Sequence, residues 1–171
     1  MIFDARIENQ TTELSTLELR RTPAAVYLPP SLESGRCRGE GLLRLPKVML
    51  LVDGDSMADL GWSSYPMPVR RRSLVDNVAS LCAEFGASAQ IVFDSSISPR
   101  CPHSQREQSV EVRLSSEVTS PSAAIVELVE RHSTNRPLVV VSLDPELRVR
   151  DGHRAEPLAP TQLLDLFLRS Q

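Results

Sequence analysis

Lysine is almost absent from this chain. Of its 19 basic residues only Lys47 is a lysine, and none follows it. Chemistry that needs a lysine late in the sequence is therefore unsupported. Aromatic residues make up only 4%, so the core has to be aliphatic. Cysteine is sparse too: Cys37, Cys82 and Cys101 are odd in number and lack CxxC spacing, which argues against a disulfide framework or a zinc site. No apolar run approaches the roughly 18 residues that span a bilayer. The start, MIFDARIENQ, lacks the basic and then apolar stretches of a secretory signal, so the expected location is cytoplasmic. A strong charge of either sign is also missing: the net charge is −3, and nucleic-acid binding would need a local basic patch.

What is present is ordinary globular material, 41% hydrophobic and 24% charged over 171 residues, enough for one domain with a core and a tail. Residues 1–41 read as an irregular N-terminal arm, with one short helical stretch at Glu13–Arg21, then Pro23, Pro29, Pro30 and the glycine-containing ESGRCRGEG. A protein partner is an expected occupant of this arm. The organised domain is expected over 42–171.

Within that domain the apolar runs KVMLLVD (47–53), QIVFD (90–94) and PLVVVSLD (137–144) fit strands buried on both faces. SVEVRL (109–114) alternates and fits a strand nearer an edge. Residues 69–85 follow helical spacing, with Leu74, Val78, Leu81 and Phe85 on one face and Gly86 as the stop. Pro121 suits a helix start capped by Ser120, and Thr161 is the expected cap of a last helix, 162–168. A last strand fits 155–158. This order predicts an α/β domain, a mostly parallel sheet covered by helices on both faces.

Asp53, Asp94 and Asp144 each close a predicted buried strand, and Asp55 lies two residues past the first. Ligands of open parallel sheets bind outside the carboxyl ends of the strands. Carboxylates converging there repel one another unless a cation joins them, and hard oxygen donors suit Mg²⁺ or Mn²⁺. Such a metal activates water and clamps phosphate oxygens. The competing reading of each acid is a helix cap or a solvated loop residue. DGDS after a strand also resembles the opening of haloacid-dehalogenase-like phosphotransferases, with Ser142 in the place of their second motif. The missing late lysine and acidic pair count against that chemistry.

LLRLPKVMLLVDGDSMADLGW, QIVFD, VEVRLSSEVTSPSAAIVELV, PLVVVSLDPEL and AEPLAPTQLLDLF, in this order, resemble successive segments of the NYN domains of actinobacteria, related to the YacP-like group. The similarity runs over about residues 42–168. It implies a PIN-like fold and metal-dependent RNA cleavage, with Asp53, Asp94 and Asp144 matching family acids as catalytic and metal-binding residues and Asp55 assisting. Self-association is common in this fold class, and a homo-oligomer is an open expectation. Two positions depart from the family. Its asparagine falls at Ser56, and its acidic pair falls at Ser122 and Ala123.

For RNA contact the candidates are Arg70, Arg71 and Arg72 at a helix start, Arg100 in the polar loop 95–108, and Trp62 as a stacking platform. The alternatives are a solvated helix face for the arginines and packing against the sheet for Trp62. His132 completes an apolar helix face. Two functional readings follow. One is a Mg²⁺- or Mn²⁺-dependent ribonuclease of the NYN/PIN-like type. The other is a catalytically degenerate NYN domain that binds RNA or a protein without cutting.

Overall fold

The computed structural model describes residues 33–98, 109–150 and 154–170. Its elements are α1 (Glu33–Leu43), β1 (Met49–Asp53), α2 (Gly54–Trp62), α3 (Met67–Phe85), β2 (Ser88–Phe93), β3 (Val110–Leu114), α4 (Pro121–His132), β4 (Leu138–Val141), α5 (Pro145–Arg150), β5 (Glu156–Leu158) and α6 (Pro160–Arg169). The five strands form one all-parallel sheet in the order β3-β2-β1-β4-β5. The chain runs outward from β1 through β2 to β3, then returns to place β4 on the other side of β1. The strand order therefore reverses between β1 and β4, the kind of switch point where open α/β sheets bind ligands.

The apolar runs become the central strands because both faces are covered. β1 is buried at every position, as is β4. Leu50, Val52, Ala89, Ile91, Phe93, Val139 and Val141 face a core shared with α1, α2, α3 and α6. Met49, Leu51, Val92, Leu138 and Val140 face a second core closed by Ile125, Leu128 and Val129 of α4 and Leu147 of α5. The alternating strand is β3, at the sheet's edge as its pattern predicts. The scarcity of aromatics concentrates them: Trp62 packs on Phe167 with ring centroids 6.3 Å apart. Cys82 is a core residue, and burial pushes its thiol up to about 12, so it stays protonated and unreactive.

Local signals behave as their chemistry requires. Gly86 ends α3 in the left-handed region at φ 65° and donates its N–H to the Cys82 carbonyl. The Ser120 side chain accepts from the Ala123 N–H at 3.2 Å.

Two expectations are corrected. α6 begins at Pro160 rather than after Thr161; the residue before it is Ala159, whose N–H donates to Gln162 Oε1 at 3.1 Å. The segment ESGRCRGEG is helical rather than a linker, so α1 crosses the expected boundary at residue 42. Gly39 permits this. A Cβ there would meet Leu166 Cδ1 at 3.3 Å and Leu158 Cδ1 at 3.5 Å, and without one the helix lies close on α6 and β5. Arg38 pairs with Glu156 and Arg169 with Glu40 across the same seam. The stretch Glu13–Arg21 lies outside the described residues.

Candidate functional site

β1 ends on Asp53, and the chain passes straight into α2 through Gly54. That glycine has a steric reason: a Cβ would lie 2.5 Å from two ring atoms of Phe93 and 2.9 Å from Ile91 Cγ2. The tight crossing holds Asp53 inside the edge of the sheet at 7% exposure. Ser56 Oγ donates to Asp53 Oδ2 at 2.8 Å, and Ser142 Oγ, just past β4, donates to the same oxygen at 3.2 Å. Burial raises the Asp53 pKa above the usual aspartate value, against the pull of these hydroxyl and backbone hydrogen bonds, with the nearby Asp55 charge adding a little. Ser142 is itself buried, and its Oγ accepts from the Asp144 N–H at 3.0 Å. Ser142 thus ties the acid of β1 to the loop carrying the acid of β4.

Asp144 has two local roles. Its Oδ1 accepts from the Glu146 N–H at 2.9 Å, in the manner of a helix cap for α5. Its Oδ2 accepts from Ser122 Oγ at 2.9 Å. Ser122 is one of the two positions where the resemblance to NYN domains led to the expectation of an acidic pair. A carboxylate there would repel Asp144, whereas the hydroxyl donates to it.

Asp55 and Asp94 belong to a different arrangement. Asp55 receives Arg71 Nε at 2.8 Å and Nη2 at 3.0 Å, and its Oδ2 also accepts from the Asp94 N–H at 2.7 Å. Arg71 continues to the Asp94 carbonyl at 2.9 Å and the Ser98 carbonyl at 3.2 Å, with its guanidinium 4.7 Å from the centre of the Phe93 ring. It is 1% exposed. The Asp94 carboxylate turns into its own loop, where Oδ1 accepts from Ser96 Oγ at 2.7 Å and Ser96 N–H at 2.8 Å. Those two bonds lower its pKa.

The predicted set of acids is therefore split. Asp53 and Asp144 stand at the switch point, Asp55 lies in an ion pair, and Asp94 lies in a turn. Among the described residues no group of three or more His, Cys, Asp or Glu side chains gathers to hold a metal ion. The expected site needs several carboxylates turned toward one cation. Here Asp53 Oδ2 faces two hydroxyl protons and the Asp144 oxygens face an amide and a hydroxyl, so this donor set does not fit the expected Mg²⁺ or Mn²⁺ site.

The residues expected to contact RNA are also redistributed. Trp62, at 1% exposure, is a packing residue and presents no face to a base. Arg71 is buried for the reason just given. Arg70 pairs with Asp59, and Arg72 with Asp76 at 3.1 Å one turn along α3. Arg100 lies outside the described residues, as do Cys101, His103 and Arg106. The strand-end edge is instead rimmed by Asp94, Asp144 and the exposed Glu117 and Glu146, with Ile97, Val118 and Leu143 exposed in the loops that follow β2, β3 and β4.

Sequence reading named Arg71, Ser122 and Ser142 but gave none of them the partner the structure shows. The signal for Arg71 was present: it lies three residues before Leu74 and seven before Val78, on the buried stripe of α3. Three consecutive arginines on a helix spread over about 200° of its circumference, so one of them has to turn inward.

Among the described residues no helix is long and apolar enough to cross a membrane. No protein-family model matches the chain, and no curated protein matches it in sequence. Solved structures do. The fold is similar to that of Rae1 (YacP) from Bacillus subtilis, with a TM-score of 0.61 at 21% identity over 71% of this chain and 74% of that one. A tryptophan-to-leucine variant of the same protein matches at a TM-score of 0.58 and 22% identity, over 71% of this chain and 75% of that one. The chain therefore has a YacP-like α/β fold, an all-parallel five-stranded sheet flanked by helices.

Proposed function

We propose that this domain is a catalytically degenerate NYN/PIN-like module that binds RNA without cutting it. The observation carrying this reading is that every strand-end carboxylate is satisfied from within the chain: Asp53 by Ser56 and Ser142, Asp55 by Arg71, Asp94 by Ser96, and Asp144 by Ser122. In a metal-dependent nuclease of this architecture the repulsion among such acids is relieved by the cation. Here hydroxyl protons and one guanidinium do that work. RNA as the partner comes from the family resemblance over residues 42–168, supported by the YacP-like fold.

The test is direct. The full chain is titrated into a labelled single-stranded oligoribonucleotide in EDTA, and the same RNA is then incubated with the protein and Mn²⁺. Binding that persists in EDTA, with intact RNA after incubation, is the expected result. Cleavage products that require Mn²⁺ and disappear in Asp53→Asn would overturn it.

A second reading, a Mg²⁺- or Mn²⁺-dependent ribonuclease with Asp53 and Asp144 as its remaining acids, is favoured by one feature. Both acids stand where the strand order reverses, linked through Ser142.

A further inference from the structure

α4 lies over β1 and β2, and on this side the edge strand β3 carries polar residues, Glu111 and Arg113, where β1 carries Met49 and Leu51 and β2 carries Val92. A pocket of about 170 Å³ opens between the end of β3 and the first turns of α4. Its buried side is formed by Val92, Leu128 and Ser115, and its wall includes Arg113, Thr119, Ala124 and the acidic Glu127. The space is well beyond what a single water needs. A single nucleobase is of this size and has the same mixed character, with apolar faces and a hydrogen-bonding rim.

Arg113 is held in place for such a ligand. Its Nε and Nη2 both meet Glu111 Oε1, at 3.0 and 2.9 Å, and Glu111 Oε2 in turn accepts from Gln90 Nε2 at 3.0 Å. Gln90 is only 5% exposed, so the relay is anchored in the sheet. Further along this face, Arg131 shares Glu127 at 2.6 Å and Arg136 donates to Ser88 Oγ at 3.1 Å. Burial first, and then the charges of Arg136, Arg131 and Arg113, lower the pKa of His132. The carboxylate partners of Arg113 and Arg131 are exposed, so exchanging them for phosphate oxygens costs little.

We propose that the α4–β3 pocket receives one unstacked base of a single-stranded RNA, with Arg113, Arg131 and Arg136 following the backbone beside it. The proposal rests on the RNA-binding reading above and places the contact beside the loop after β3, next to the acidic, apolar rim of the strand ends. Ser122 joins the two regions. It bonds Asp144 in the first turn of α4, two residues before Ala124 in the pocket wall.

The experiment is fluorescence anisotropy of a labelled, mixed-sequence single-stranded oligoribonucleotide with the full chain, in EDTA, over a series of salt concentrations. Ala124→Met fills the pocket and is expected to weaken binding about tenfold, as for the loss of one stacked base. Arg136→Gln is expected to reduce the slope of log Kd against log salt by about 0.7, one phosphate contact on a single strand. Circular dichroism melts check that both variants fold, and Arg136→Gln, a surface change, carries the test if Ala124→Met does not. Wild-type binding with affinity and slope unchanged in both variants would overturn the pocket and leave the RNA reading standing. Wild type that binds no RNA at low salt would overturn both.

Discussion

On the β2 side of the sheet's carboxyl edge, Asp55 meets a buried guanidinium, whereas on the β4 side Asp53 and Asp144 meet serine hydroxyls. The first arrangement cancels charge with charge and knits together α2, α3 and the loop after β2. The second supplies hydrogen bonds and no positive charge, so Asp53 keeps a raised proton affinity inside the sheet edge. Of the acids expected to share a metal, Asp55 is thus held in an ion pair. Asp53 is a carboxylate destabilised by burial, at the place in the topology where ligands of open α/β sheets bind.

This contrast predicts effects of opposite sign. The largest is at Arg71. Replacing it by Met removes one partner of a buried pair and leaves Asp55 and the Asp94 and Ser98 carbonyls without their donor. Breaking such a pair costs about 3–5 kcal/mol. A thermal melt should show Tm falling by roughly 10 °C, at 2–4 °C per kcal/mol for a domain of this size. A Tm unchanged in Arg71→Met would dissolve the distinction between the two sides.

A smaller effect, in the other direction, is expected at Asp53. The sign follows from linkage. A carboxyl whose pKa is raised on folding holds its proton more tightly in the native state, so stability falls as pH rises from 3.8 through the folded value. Asp53→Asn removes that penalty while keeping the shape. Its Tm at neutral pH should exceed that of wild type, and the gain should shrink as the pH is lowered toward 3.8. Melts from pH 4 to 8 would decide it, and a loss of stability at neutral pH in Asp53→Asn would show that the carboxylate is stabilised after all.

The two sides also differ in how far the sequence disclosed them. The apolar runs ending in aspartate gave the parallel strands because burial on both faces leaves a continuous hydrophobic signature. The alternation of SVEVRL likewise marked the edge strand. Side-chain partnerships carry no such periodic signature. Ser122 stood out in the sequence only as a missing acid, and the hydrogen bond it gives to Asp144 comes from the packing of α4 against the end of β4. Trp62 reads equally as a stacking platform or a packing residue until Phe167, over a hundred residues later, is seen against it. The helix α1 was hidden by three glycines that ordinarily signal a loop. At Gly39 the cause is close contact with Leu166 and Leu158, which belong to distant parts of the chain.

The central proposal is that hydroxyls and Arg71, and not a cation, hold the acids at these strand ends. Calorimetric titration of Mn²⁺ into wild type and into a Ser122→Asp/Ala123→Asp variant tests it most directly. The account predicts no heat of binding for wild type at millimolar Mn²⁺ and measurable binding once the two acids are restored beside Asp144. Binding by wild type that is lost in Asp53→Asn would contradict it and place a working metal site at the switch point.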